Sequence, residues 1–331
     1  MQERMTDQPL ISIVIPCYNC SALVEETLDS LAAQSLRNFE VICINDGSRD
    51  DTLAVLQAYR ERSKLQMRIL DQENAGVSAT RNRGIAQACG KYILFLDADD
   101  LYHSDFVRSL VRAVEESGAD TAYCLLSRAR EALPTHALTE ITHTEQSQED
   151  AMHTLLYRMG EVGFYCYLYR RDLLTEQGIL FDEDTKFGED REFNWKYLCH
   201  CKRIAFVDAI LYWYRPNMAS ATKSKASWRH TDALTAMRRV EAYMKQLDCA
   251  YLQEFSDYMY PRVMWTVAKN FSVCRDRELF ARLQKEYDVR TCMRRTAKDP
   301  VKLVALASRF YLIHPRLFYA TISFAMRIKR G

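Results

Sequence analysis

The chain has 331 residues, 48% of them hydrophobic, and its 45 basic residues nearly balance 44 acidic ones. This length allows one large or two modest domains with a sizeable core, and the near-zero net charge gives no global indication of a nucleic-acid partner. Eleven cysteines, an odd number, favour the reduced thiols of a cytosolic protein over a disulfide framework. The polar N-terminus lacks the apolar core of a signal peptide, and no apolar stretch reaches the roughly 20 residues that span a bilayer.

Strand-like and helix-like segments alternate from residue 10 to about residue 100. The predicted strands are 11–15, 39–44, 67–70 and 91–96, and the helices between them begin near Ser21, near Asp50 or Asp51, and at Ala79. This alternation favours a Rossmann-like α/β fold, a mostly parallel sheet with helices on both faces. In such sheets ligands bind beyond the carboxyl ends of the strands.

The pattern is less regular after residue 100. The predicted elements are a helix over 105–117, strands over 120–126, 163–169 and 205–214, and a helix over 189–200. Residues 133–148 are polar, contain Pro134 and predict a loop. From about Ser227 onward only helical patterns occur.

Three carboxylates, Asp97, Asp99 and Asp100, directly follow the fourth predicted strand. Two like charges about 4 Å apart at an effective dielectric constant of about 20 repel by roughly 4 kcal/mol. A divalent cation with hard oxygen ligands removes that cost and leaves coordination positions for a phosphorylated substrate. The alternative is a turn or a helix cap, two roles that aspartate also favours.

Five motifs, in this order, resemble those of the family 2 glycosyltransferases, which have a GT-A fold. They are SIVIPCYN at 12–19, INDGSRDDT at 44–52, NAGVSATRNRG at 74–84, FLDADD at 95–100 and GEDREF at 188–193. Each motif is weak alone, but the five together are specific. The resemblance implies an N-terminal tail at 1–9, a GT-A catalytic domain at 10–222 and a helical region at 223–331.

The resemblance also implies a nucleotide-sugar site. Asp46 would contact the nucleotide base, and Arg81 would pair with nucleotide or phosphate. The alternatives are a turn-forming aspartate and an exposed helix arginine. The residues expected to flank the base are Pro16, Tyr18 and Asn19.

By the same resemblance, Asp99 would ligate Mn²⁺ or Mg²⁺, and Asp97 would contact the ribose or the metal shell. For Asp100, an orienting role and a helix cap stay open. Asp190 is the candidate general base, with Glu189 as its rival and helix capping as the alternative.

Two further segments belong to this interpretation. Arg215, followed by hydroxyl residues at 220 and 222, resembles a loop that closes over the diphosphate, although a plain surface loop is an equal alternative. Trp195 either faces an acceptor sugar or packs in the core. After Asp299 there is no acid, and basic residues are mixed with apolar and aromatic ones. Such a segment either lies on an anionic membrane surface or packs on the core with its basic residues outward.

The sequence therefore predicts an inverting, metal-dependent, hexosyltransferase-type enzyme. It would transfer sugar from a nucleotide-sugar donor, a UDP-sugar by preference, to a hydroxyl of a glycan or lipid-linked glycan in bacterial polysaccharide synthesis. Its expected place is the cytoplasm, peripheral on the inner face of the membrane. The rivals are a catalytically silent, membrane-associated scaffold and a sugar-1-phosphate nucleotidyltransferase, but the latter needs a Gly-rich, arginine-bearing loop that residues 17–20 do not provide.

Overall fold

The computed structural model describes residues 8–138, 140, 142–157, 161–216 and 227–328, with the side chains of 323–328 excepted. Contacts between Cα atoms divide the chain into two compact units. The first unit runs to Glu183 and resumes from Phe193 through the last strand. The second comprises Asp184–Glu192 and the helices that follow Ser227.

The described residues of the first unit contain one sheet of nine strands. The strands are β1 Ile11–Cys17, β2 Phe39–Asp46, β3 Gln66–Gln72, β4 Tyr92–Phe95, β5 Leu101–Tyr102, β6 Thr121–Ser127, β7 His143–Ser147, β8 Tyr167–Arg170 and β9 Arg203–Trp213. Their order is β3-β2-β1-β4-β8-β6-β9-β5, with β7 paired to β9. Strands β3, β2, β1 and β4 are all parallel, whereas β8, β5 and β7 pair in antiparallel fashion. The sheet is therefore mixed. Its parallel half is formed by the residues before 100, where the sequence predicts alternating strands and helices.

Helices cover the sheet and bury its apolar residues. Those of the first unit are α1 Val24–Ala32, α2 Thr52–Arg62, α3 Val77–Gln87, α4 Phe106–Ser117, α5 Gln148–Tyr157 and α6 Arg171–Glu176. A seventh helix, α7 Glu189–Leu198, starts in the second unit and ends in the first. Strands β1 and β2 are mainly apolar and almost wholly buried, as a sheet covered on both faces requires, and the buried Ser12 hydroxyl donates to Glu40 at 2.7 Å. All eleven cysteines are free thiols.

Several local predictions need correction. Ser21 does not cap α1, because the N-cap position is Leu23 and the Ser21 hydroxyl donates instead to Asp50 at 2.7 Å. Asp51 precedes α2, but its side chain makes no capping hydrogen bond. The predicted 133–148 loop contains β7, an edge strand that pairs with β9 and is largely exposed.

All regular secondary structure in the described residues of the second unit is helical. Its helices after Ser227 are α8 Asp232–Gln246, α9 Leu252–Val273, α10 Arg277–Glu286, α11 Val289–Thr296, α12 Lys302–Ile313 and α13 Pro315–Ile328. Residues Met264, Phe271 and Phe318 are among those that form its core. No helix in the described part of the chain has both the length and the apolar character needed to cross a membrane.

Candidate functional site

The carboxyl ends of β1, β2 and β4 share one edge of the sheet, because these strands are parallel. Pro16 lies inside β1, and Tyr18 follows the strand with half of its surface exposed. Asn19 has φ = +48°, a left-handed conformation that asparagine tolerates better than most residues. The predicted base-flanking residues thus lie on the ligand-binding edge of an α/β sheet.

Hydrogen bonds connect the loops that follow β1 and β2. The Asn19 N–H donates to Ser48 Oγ at 3.0 Å, and the Arg49 N–H donates to Asn19 Oδ1 at 2.8 Å. Asp50 accepts from the hydroxyls of Ser21 at 2.7 Å and Thr52 at 2.6 Å. Burial raises the pKa of Asp50, but these hydrogen bonds outweigh burial and lower the pKa to about 2. The two loops therefore form one hydrogen-bonded unit.

Asp46, the last residue of β2, is buried and holds the loop that precedes α3. Its Oδ1 accepts from Gln72 Nε2 at 2.7 Å and the Ala75 N–H at 2.8 Å. Its Oδ2 accepts from the Gly76 N–H at 3.0 Å and Asn74 Nδ2 at 3.2 Å. A carboxylate offers about four acceptor positions. Asp46 thus shapes the entrance to α3, and contact with a base edge would have to share or replace one of these bonds.

Arg81 and Asp97 form an ion pair at this edge. The Arg81 Nη2 to Asp97 Oδ1 distance is 2.8 Å, and the side chains are 6% and 27% exposed. The Arg81 guanidinium also lies over the ring of Phe164, 4.4 Å from its centroid. Arg81 is therefore a buried residue fixed against the acidic motif, and the alternative of an exposed helix arginine is wrong.

Asp100 is the most buried of the three clustered acids, with 1% of its surface exposed. It accepts from the Tyr212 hydroxyl at 2.6 Å and from the Arg215 N–H at 2.7 Å. Burial, followed by the nearby charge of Asp97, raises its pKa to about 8 despite these two bonds. Asp100 is not a helix cap, because α4 begins at Phe106. It ties the end of β9 to the acidic motif.

Arg215 lies against the same motif. Its Nε donates to the Asp99 carbonyl at 2.6 Å, its guanidinium lies 4.5 Å from the ring centroid of Trp213, and it forms an ion pair with Glu26. The hydroxyl residues predicted to act with it, at 220 and 222, lie outside the described residues.

The acidic motif has the ligand chemistry of a Mn²⁺ or Mg²⁺ site. Asp97 and Asp99 supply carboxylate oxygens that are neither fully buried nor fully exposed, and in addition to burial, their negative charges contribute to the raised pKa of Asp100. Within the described ranges, no three His, Cys, Asp or Glu side chains are placed to hold a metal ion by themselves. A cation here would therefore need further oxygen ligands, such as those of a diphosphate.

Asp190 lies in the second unit, in the first turn of α7. It is half-buried, and its Oδ1 accepts the N–H of Arg191 at 2.7 Å. Gly188 precedes it at φ = +91°, where a Cβ atom would lie 2.9 Å from the Cα of Ala233, so only glycine fits. Two residues after Asp190, Glu192 is buried and forms an ion pair with Arg239 of α8.

The comparisons with known proteins agree with this geometry. The family model of glycosyl transferase family 2 matches residues 12–178, which is half of the chain. The chain belongs to glycosyl transferase family 2. It is 34% identical over 219 residues to the uncharacterized glycosyltransferase EpsJ of Bacillus subtilis, a match that covers 65% of this chain and 63% of EpsJ.

The fold of this family 2 member also matches solved structures. TarS 1–349 of Staphylococcus aureus in complex with UDP-GlcNAc has a TM-score of 0.70 at 22% identity, covering 96% of this chain and 92% of that one. The mannosyltransferase PcManGT of Pyrobaculum calidifontis in complex with GDP-Man and Mn²⁺ has a TM-score of 0.56 at 16% identity, covering 96% and 86%. The predicted GT-A fold with a helical C-terminal region is thereby confirmed.

The structure gathers most of the predicted donor-side residues at one sheet edge. Those of the first unit are Pro16, Tyr18, Asn19, Asp46, Arg81, Asp97, Asp99 and Arg215. Trp195 is buried, as core packing predicts. Tyr212 belongs to the segment that resembles the loop over the diphosphate, but its bond to Asp100 was not predicted. Sequence reasoning missed Glu26, because Glu26 acts through Arg215, 189 residues away, and belongs to no motif.

Proposed function

We propose that this protein is an inverting glycosyltransferase that moves a sugar from a UDP-sugar to a hydroxyl of a glycan or lipid-linked glycan. The observation that carries the proposal is the Arg81–Asp97 pair beside Asp99, at the carboxyl edge of parallel strands. Membership of the family supports the reaction class. The UDP-GlcNAc of the TarS complex supports the nucleotide.

On the donor side, this chain's residues would bind the nucleotide and stabilise the leaving diphosphate. Tyr18, Asn19 and Asp46 would contact the base, and Arg81 and Arg215 would lie beside the phosphates. Asp99, with Asp97 next to it, would hold Mn²⁺ or Mg²⁺. The cation would offset the negative charge that grows on the diphosphate as the sugar leaves.

On the acceptor side, Asp190 would take the proton of the attacking hydroxyl. A positioned general base contributes roughly 10²- to 10⁴-fold to the rate. Direct attack on the anomeric carbon converts an α-linked donor into a β-linked product. The half-buried carboxylate of Asp190 is open enough to meet a substrate, unlike the buried Glu192.

The decisive experiment measures UDP-sugar hydrolysis and transfer with Mn²⁺ over a panel of nucleotide sugars. Asp99→Ala should abolish both activities, while Asp51→Ala, an exposed aspartate whose side chain makes no capping bond, should keep them. Asp190→Asn should lose transfer but keep donor affinity. Equal rates in wild type and Asp99→Ala would refute the proposal, and a wild type that is inactive with the whole panel would favour a silent scaffold. Loss of donor affinity in Asp190→Asn would give Asp190 another role.

We further propose that α12 and α13 contact an anionic membrane surface from the cytoplasmic side. Half of the ten large apolar side chains that are most exposed in the described residues lie within this short segment: Val301, Leu303, Leu306, Ile313 and Leu317. Lys302, Arg309 and Arg316 are exposed beside them, and no acid follows Asp299. Exposed apolar and basic side chains within one short segment suit an anionic membrane surface.

Flotation with vesicles tests this surface in the full-length protein. Leu306→Ser and Ile313→Ser should reduce binding to vesicles that contain phosphatidylglycerol, whereas Leu180→Ser, an equally exposed leucine of the first unit, should not. Point variants are preferable to truncation, because removing α12 would take away the buried Val304 and Tyr311. Unchanged binding by both variants would refute a membrane role for this surface.

A further inference from the structure

Two arginine side chains converge on one carboxylate beside the acidic motif. Glu26 Oε1 lies 2.7 Å from Arg130 Nη2, and Glu26 Oε2 pairs with Arg215 Nη2. Each carboxylate oxygen is thus bound by a different guanidinium. Two positive charges face one negative charge, so the cluster keeps a net positive charge.

The position of Glu26 is favourable for any anion. Glu26 lies in the first turn of α1, where the helix dipole is positive. The guanidinium of Arg215, followed by that of Arg130, lowers the pKa of Glu26. The site therefore stabilises negative charge, and Glu26 supplies it from within the chain.

The two guanidinium groups have contacts that do not depend on Glu26. Both lie on the Trp213 ring, with the guanidinium carbon of Arg215 at 4.5 Å and that of Arg130 at 5.0 Å from its centroid. Arg215 also donates from Nε to the Asp99 carbonyl at 2.6 Å. If the Glu26 side chain turned away, these contacts would still hold the two arginines near the motif.

We propose that Glu26 occupies a phosphate position, from which the diphosphate of the donor displaces it, and that Arg130 is a second phosphate-binding arginine next to Arg215. This rests on the proposed function, since it assigns more residues to the same donor site. In the exchange, phosphate oxygens replace the two carboxylate oxygens of Glu26. Both guanidinium groups therefore remain paired before and after binding.

The exposure of Glu26 and Arg130 favours the exchange. Glu26 is 38% exposed and Arg130 is 60% exposed, whereas Arg215 is 18% exposed. Ion pairs with this much solvent contact contribute little to stability. A diphosphate carries more charge and more acceptor oxygens than a carboxylate, so it forms the stronger bidentate pairs with arginine. The two ion pairs of Glu26 must break before the diphosphate binds, so stronger ion pairs would mean lower affinity for the donor.

Titration calorimetry with UDP, and separately with inorganic pyrophosphate, tests the proposal. Glu26→Gln should bind UDP about two- to tenfold more tightly than wild type, the factor expected for removing one or two weak competing ion pairs. Arg130→Gln should bind UDP more weakly, and by a larger factor when Glu26→Gln is also present. The matched control is Glu25→Gln, because Glu25 lies in the same helical turn but pairs with the exposed Arg62.

The outcomes separate this inference from the proposed function. If wild type binds UDP and Glu26→Gln binds it equally or more weakly, Glu26 is a fixed support for Arg215 and the inference is wrong. If wild type binds neither UDP nor pyrophosphate, the proposed function fails and the inference fails with it. Thermal unfolding of each variant shows whether a change in affinity reflects a loss of fold.

Discussion

The ion pair between Glu192 and Arg239 gives the sharpest prediction about stability. Arg239 Nε lies 2.8 and 3.0 Å from the two carboxylate oxygens of Glu192, and Nη2 lies 2.5 Å from Oε2 and 2.5 Å from Thr185 Oγ1. The Glu192 side chain is only 2% exposed. The perturbation is Arg239→Ala, which removes the guanidinium and leaves the carboxylate buried.

The expected loss follows from burial. Removing one partner of a buried ion pair destabilises a protein by about 3–5 kcal/mol, because the other charge loses much of the interaction that offsets its burial. Arg239 is itself 35% exposed, so water can reach part of the site, and we expect about 3 kcal/mol, near the lower end of that range. The double variant Glu192→Met/Arg239→Met should lie closer to wild type, since apolar replacement of a whole buried pair is often nearly neutral.

Urea unfolding followed by fluorescence and by circular dichroism measures the effect on the second unit. Two units can unfold separately, so both probes are needed before a single free energy of unfolding is assigned. Lys245→Ala, at an exposed position of the same helix, is the control and should change stability by less than about 0.5 kcal/mol. A loss below about 1 kcal/mol in Arg239→Ala, or a double variant less stable than Arg239→Ala, would refute the reasoning.

Three further predictions concern the first unit. Gly84→Ala would place a Cβ atom 2.2 Å from Val14 Cγ1, so thermal unfolding should show that the protein loses about 1–3 kcal/mol of stability. Adding Val14→Ala should restore part of this stability, and an unchanged melting temperature in Gly84→Ala would contradict the contact. In Asp46→Asn, an amide that accepts less well replaces the carboxylate that accepts from four donors, so urea unfolding should show a loss of stability on the order of 1–3 kcal/mol. Full stability of this variant would mean that the loop before α3 does not depend on Asp46. The pKa of Asp50 is lowered to about 2, so its contribution to stability is present above its ordinary pKa near 3.8 and is lost as the pH falls towards 2. The stability difference between wild type and Asp50→Ala should therefore shrink between pH 5 and pH 2, and a constant difference would argue against these hydrogen bonds.

The parallel half of the sheet was predictable because each of its buried strands is marked by a short run of neighbouring residues in the sequence. The runs that form β1, β2 and β4 are mainly apolar and almost wholly buried, as a strand covered on both faces requires. Strand β7 was missed because it is polar and largely exposed, so no apolar alternation marks it, and its pairing with β9 is visible only in the fold. Strand β5 has two residues, too few for any periodic pattern.

The donor side of the site was predictable for the same reason. A polar residue that follows a buried parallel strand must lie on the ligand-binding edge, which is how Tyr18, Asp46 and Asp97 come together. A sequence pattern does not show which charged residues form ion pairs with one another. The sequence shows Arg81 and Asp97 as separate motif members, and only the fold brings them within 2.8 Å of each other.

The same distinction explains why Glu26 was not a candidate. Acidic residues in the first turn of a helix are common, because they interact favourably with the helix dipole, and Glu25 looks no different in the sequence. Their partners separate them, since Glu25 pairs with one exposed arginine, whereas Glu26 meets an arginine 189 residues away that also contacts the acidic motif. A residue of common type therefore gains a specific function only through its contacts. Comparing Glu25→Gln with Glu26→Gln tests this argument directly, because the two substitutions remove the same charge from the same helical turn.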